Sequence, residues 1–163
     1  MTGEWYEVDL DVEESMIVQF PDKVETGGIA SCMGVGILNH RKRKGYLGHY
    51  NYLDDSSEAL MNEAISEATH IGDLEVVLAG NIPSKRTEVA LFGGNYEETL
   101  ESFRAHGRWA LQMVRSKGIK RIQNHLQNDP VNIYYDILID TEKRTIEAQK
   151  KEIEEEYEPA DFS

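Results

Sequence analysis

A glycine-punctuated β-hairpin sets the strongest limit on how this chain can fold. Met33 to Leu38 (Met-Gly-Val-Gly-Ile-Leu) and Gly45 to Tyr52 (Gly-Tyr-Leu-Gly-His-Tyr-Asn-Tyr) are strand-like, and a short basic turn, Asn39 to Lys44, joins them. If Leu38 pairs with Gly45 across that turn, His49 faces Gly34. Cys32, the only cysteine, is then the diagonal neighbour of His49 on the same face, roughly 7–8 Å away between Cα atoms. Glycines at 34, 36, 45 and 48 leave room beside both side chains. A thiol and an imidazole sharing such a face can form the ion pair that creates a nucleophilic thiolate. A lone cysteine is also commonly a small buried hydrophobe, and a lone histidine commonly structural, so the spacing alone leaves both readings open.

The rest of the chain supplies further strands and two helices. Trp5 to Val12 alternates apolar and polar residues as an edge strand does, and Met16 to Phe20 is a short strand stopped by Pro21. Asp22 to Glu25 reads as a loop leading into Thr26. Leu60, Ala64, Ala68 and Ile71 recur at helical spacing and predict a helix from about Ser56 to His70, with Asp55 and Glu58 as a capping box and Gly72 as its stop. Leu74 to Ala79 and Thr87 to Phe92 are β-rich and predict a hairpin through Pro83 that ends at Gly93-Gly94.

A long helix follows over about 97–117, carrying Leu100, Phe103, Gly107, Ala110, Leu111 and Val114 on one side. Gly107 weakens it by about 1 kcal/mol relative to alanine, and Gly118 closes it. Ile119–Leu126, Val131–Asp140 and Thr145–Gln149 complete the strands, Val131–Asp140 being the most plainly buried. This order, with hairpin-length connections, predicts an α+β fold. One domain spans residues 1–149, a layered sheet or β-sandwich core flanked by two main helices. A glutamate-rich, solvated tail follows over 150–163.

Charge narrows the partners. The 163 residues carry 30 acidic and 17 basic side chains, a net charge of −13, which argues against nucleic acid and anionic membranes as binding partners. No apolar run reaches the roughly 18 residues that span a bilayer, and the N-terminus lacks the features of a signal peptide. A single cysteine fits a reducing compartment. The expectation is a soluble cytoplasmic protein.

Thr26, Cys32 and His49 together resemble the CheD chemoreceptor glutamine deamidases, which are related to the catalytic domain of cytotoxic necrotizing factor. That family carries a threonine, then a cysteine six positions on in a Gly-Ser-Cys-like context, then a histidine seventeen positions further. Here the residues are Thr26, Ala30-Ser31-Cys32 and His49. The family's order of elements is similar across most of the chain. Departures are Gln127-Asn128-Asp129-Pro130 in place of a glycine-rich turn, Leu53-Asp54 in place of Leu-Pro, and Leu74 to Arg86, which reads as an insertion. The resemblance implies a cysteine-dependent amide hydrolase that converts glutamine to glutamate on a chemoreceptor-like protein substrate. It also implies Cys32 as nucleophile, His49 as base, Thr26 as the residue orienting the histidine, and neither cofactor nor metal.

Two alternatives stand beside it. One is a non-catalytic binding or regulatory module on the same fold. The other is a zinc hydrolase resembling laccase-domain proteins, in which Cys32, His49 and one of His40, His70, His106 or His125 would converge. The basic turn from His40 to Lys44 reads as a solvated loop, or as a docking point for an acidic partner.

Overall fold

The computed structural model describes residues 3–9, 14–83 and 96–153. Among these residues, nine strands and two α-helices run β1 (Trp5–Glu7), β2 (Ser15–Gln19), β3 (Lys23–Ile29), β4 (Met33–Asn39), β5 (Lys44–Tyr50), α1 (Ser57–Glu67), β6 (Leu74–Gly80), α2 (Tyr96–Ser116), β7 (Arg121–Leu126), β8 (Ile133–Asp140) and β9 (Thr145–Glu152). One sheet has the order β1-β3-β8-β9 and the other β2-β5-β4-β6-β7. This is the expected α+β architecture, a two-sheet sandwich with helices on one side.

Strand parity explains the layering. Along β4, Met33, Val35 and Ile37 point to the helices and join Tyr46, Val76, Leu78, Leu60, Met61, Ala64, Ala110, Met113 and Val114 in one buried cluster. Residues of opposite parity face the other sheet, where Leu38, Leu47, Val77 and Ala79 meet Val24, Ile29, Ile137, Ile139 and Ile146. Each central strand is therefore buried on both faces, which accounts for the nearly continuous apolar runs of β4 and β6. Helix α2 buries Leu100, Phe103, Gly107, Ala110 and Val114 at three- and four-residue intervals.

The hairpin register is the expected one, with Leu38 opposite Gly45 and Gly34 opposite His49. Its basic turn is not a free solvated loop. His40 Nε2 lies 2.8 Å from Glu75 Oε1, Arg41 donates to Asp73 at 3.0 Å, and Lys44 pairs with Glu67 at 2.9 Å. Lys42 donates to the Glu67 carbonyl, and the Arg43 guanidinium lies over the Phe20 ring. The turn is fastened to its own molecule, chiefly by acidic groups of α1 and the start of β6.

Other expectations change. Lys23 to Glu25 belong to β3 rather than to a loop, because Val24, Thr26 and Ile29 have partners on β8 that sequence-local reasoning cannot see. Leu74 to Gly80 is the expected strand, and its neighbours are β4 and β7, so it is buried along most of its length. The Asp55–Glu58 capping box does not form. Asp54 instead accepts the Ser56 N–H and hydroxyl, while Glu58 pairs with Lys117 beyond α2. Strand β9 runs through Glu152 and takes in the first three residues of the expected tail. The expected strand Thr87–Phe92, Gly93-Gly94 and most of the acidic tail lie outside the described residues.

Gly80 has a positive φ of 98°, and a Cβ there would sit 2.3 Å from the Cys32 carbonyl oxygen. Gly80→Ala therefore combines backbone strain with overlap against main chain that cannot rotate away. It should lower unfolding stability by more than about 2 kcal/mol, read as a reduced urea midpoint at unchanged m-value.

Candidate functional site

The three residues of the sequence motif come from different parts of the sandwich. Thr26 is on β3 in one sheet and His49 on β5 in the other, both buried, at 1% and 7% exposure. Cys32 lies in the bend that links β3 to β4 and packs against the inter-sheet cluster. It immediately precedes Met33, one residue outside the ladder that pairs Gly34 with His49.

A buried side-chain hydrogen bond crosses between the sheets: Thr26 Oγ1 and His49 Nδ1 are 2.8 Å apart. The threonine hydroxyl also donates to the Val8 carbonyl at 2.9 Å, a group that can only accept. A hydroxyl has one proton, so toward His49 it must accept. Nδ1 therefore carries the imidazole proton and donates it, leaving Nε2 with a free lone pair. Val8 is itself fixed, its N–H donating to the Glu25 carbonyl at 2.9 Å. Burial pushes the His49 pKa below its ordinary 6.5, partly opposed by the charge of Asp9. The ring is thus neutral near pH 7 and suited to act as a base through Nε2.

The remaining histidines are dispersed. His40 is bound to Glu75, His70 is exposed before the 3-10 turn Ile71–Asp73, His106 stacks on Trp109 within α2, and His125 tilts against Tyr135. Among the described residues, no group of three or more His, Cys, Asp and Glu side chains gathers as a metal site. None of these helices is long and apolar enough to cross a membrane.

Beside the Cys32 bend lies a polar cluster that composition and spacing did not reveal. Asn81 N–H donates to the Cys32 carbonyl at 2.8 Å, and its side chain reaches Phe103 and Asn128. Gly107 makes the space, since a Cβ there would lie 2.9 Å from Asn81 Nδ2. The one available sequence signal was Gly107 itself, a glycine in mid-helix.

No family model matches the chain. It is 27% identical over 89 residues to the probable chemoreceptor glutamine deamidase CheD of Oceanobacillus iheyensis, covering 45% of this chain. The chain spans about half, 54%, of that relative's length. Similar solved structures include two of low identity. The hypothetical protein YfiH of Bacillus licheniformis has a TM-score of 0.47 at 13% identity, over 72% of this chain and 51% of that one. The Neisseria meningitidis protein NMB0706, of the family model DUF152, has a TM-score of 0.44 at 8% identity, over 76% and 64%.

Thr26→Val removes the acceptor for His49 Nδ1 and the donor to Val8, stranding two buried polar groups. Stability should drop by about 1–3 kcal/mol, and Thr26→Ser should restore most of it, both read from denaturation midpoints. Acid should also destabilise the wild type. The pKa values of His49, His106 and His125 are all lowered, burial being the main cause, so below the ordinary 6.5 the unfolded chain takes up protons that the folded one refuses. Midpoints should fall between about pH 7 and about pH 5, and His106→Gln should flatten part of that slope.

Proposed function

We propose that the protein is a cysteine-dependent amide hydrolase, and specifically a protein-glutamine deamidase. The observation that carries this reading is the inter-sheet bond that fixes His49 Nδ1–H as a donor to Thr26, so that in the neutral ring Nε2 is the basic nitrogen, on the face that the Cys32 bend also packs against. The Thr, Cys and His spacing and the 27% identity to a probable chemoreceptor glutamine deamidase support the choice of substrate.

In this mechanism the resting pair is neutral. As Cys32 Sγ attacks the side-chain amide carbon of glutamine, its proton passes to His49 Nε2. The C–N bond then breaks, and the same proton goes to the departing nitrogen, which leaves as ammonia. Water next attacks the thioester while giving a proton to Nε2. The C–S bond breaks, glutamate is released, and the proton returns to Cys32. Thr26 holds the imidazolium that forms twice in this cycle, because Nδ1–H stays bonded throughout. Backbone N–H groups near Cys32 are candidates to receive the oxyanion. The substrate is a glutamine-presenting protein, chemoreceptor-like by analogy with the relative.

The test is mass spectrometry of candidate proteins, chemoreceptor cytoplasmic fragments among them, after incubation with wild type or Cys32→Ala. Glutamine-to-glutamate conversion that needs Cys32 is expected. His49→Ala should slow it by about 10²–10⁴-fold, and Thr26→Val by about tenfold or more, since it releases the tautomer. The acid limb of kcat/KM should lie below the ordinary histidine value of 6.5. Conversion by Cys32→Ala at the wild-type rate would sink the reading. If no substrate converts and a diazoketone analogue of glutamine fails to label Cys32, the protein is instead a non-catalytic module on this fold.

A further inference from the structure

Cys32 is not held by the β4 ladder, which begins one residue later; it belongs to the bend formed by residues 30–32. The support for that bend comes from the end of β6. Gly80, at φ 98°, and Asn81, at φ 63°, are consecutive left-handed residues. The turn they make directs two successive N–H groups at the bend, Asn81 to the Cys32 carbonyl at 2.8 Å and Ile82 to the Ala30 carbonyl at 2.9 Å. The Asn81 side chain is fully buried at 0% exposure. Its Nδ2 donates to the Phe103 carbonyl of α2 at 2.7 Å and to Asn128 Oδ1 at 2.8 Å, just past β7. One residue thus ties the cysteine bend to α2 and to the end of β7.

Stability alone would not select this arrangement. A left-handed backbone is unfavourable for any residue with a Cβ, although asparagine tolerates it better than most. Asn81 Oδ1 is buried with no hydrogen-bond partner among the described residues, a cost that an apolar side chain would avoid. Making room for Asn81 and Asn128 further requires a glycine, Gly107, inside a helix. Three locally unfavourable choices meet at one point, a pattern typical of places where geometry serves function. We infer that Asn81 is the positioning residue of Cys32: it fixes the backbone of the bend, and through it the direction of Sγ relative to His49. This rests on the reading of Cys32 as the nucleophile.

The test measures alkylation of Cys32 by iodoacetamide against pH, at temperatures where circular dichroism shows each variant folded. Asn81→Ala should slow alkylation near neutral pH by about tenfold or more, the effect of a small misplacement of a reacting group. Asn81→Gly, which keeps the left-handed turn and both N–H bonds, should show a smaller loss. In a His49→Ala background, Asn81→Ala should cost nothing further, because the two act through the same proton transfer. Met113→Ala, a control in the helix-side cluster, should destabilise the fold and leave the pH profile unchanged. If Asn81→Ala does not fold, Asn81→Gly and Asn128→Ala carry the same comparison.

Variants that alkylate with the wild-type rate and profile, or losses that add fully to that of His49→Ala, would overturn the inference. Amide hydrolysis, followed in parallel, separates this from the deamidase reading. A wild type that hydrolyses glutamine beside unaffected Asn81 variants refutes the positioning role alone. An inert wild type whose alkylation still depends on Asn81 and His49 together refutes the deamidase and leaves the positioning role standing.

Discussion

The two sheets approach closely because three glycines of one of them stand against isoleucines of the other. A Cβ on Gly34 would lie 2.5 Å from Ile29 Cδ1 and 2.9 Å from Ile137 Cδ1; one on Gly36 would lie 3.0 Å from Ile146, and one on Gly45 2.8 Å from Ile139. Isoleucines of one sheet therefore fill the space that glycines of the other leave empty, and close packing is kept without bulk on both faces. The Thr26–His49 bond depends on this. A threonine hydroxyl is a short reach, and with larger residues at these glycines the sheets would separate beyond hydrogen-bond distance. Sheet packing here is thus the means by which a residue on β3 sets the tautomer of a residue on β5.

The same closeness sets the electrostatics. His49 sits at an almost dry inter-sheet position, where the charged imidazolium is disfavoured, and Asp9 opposes that effect only in part. A resting thiolate–imidazolium pair is a poor fit to such a site, since it would require charge where burial penalises it. In the proposed reaction a neutral thiol and a neutral imidazole protonated at Nδ1 fit such surroundings better, with charge developing only as the proton moves. The hairpin pattern pointed to an ion pair; the surroundings of His49 shift the reading to general-base catalysis.

The parts legible in the sequence were those whose signal is local. The hairpin register followed from alternation and turn length, and α1, α2, β8 and β9 from periodicity and turn residues. Strand β3 was missed at Lys23 to Glu25 because Lys-Val-Glu-Thr-Gly-Gly-Ile is a poor strand by propensity. It is a strand because β8, more than a hundred residues later, pairs with it, and a register shift between Thr26 and Ile29 absorbs the glycines, Gly28 taking φ 68°. Strand β6 is legible as a strand from its apolar run, but nothing in Leu74 to Gly80 reveals that it lies between β4 and β7. For the site, parity put Cys32 and His49 on one face, but only the family spacing drew Thr26 in.

Asn81 and Gly107 show why the remainder was illegible. Each looks ordinary or unfavourable alone, an asparagine before Ile-Pro and a glycine that weakens a helix. Their meaning is pairwise: a Cβ on Gly107 would sit 2.5 Å from Asn128 Oδ1, so the helix gives up propensity to admit two amides from distant positions. Those amides tie α2 and the end of β7 to the turn that holds the Cys32 carbonyl. The cysteine is therefore supported from the helix side of the central sheet, while its histidine is oriented from the other sheet. In the proposed site the two partners are thus supported from different layers, the cysteine bend by α2 and the end of β7 and the histidine by β3.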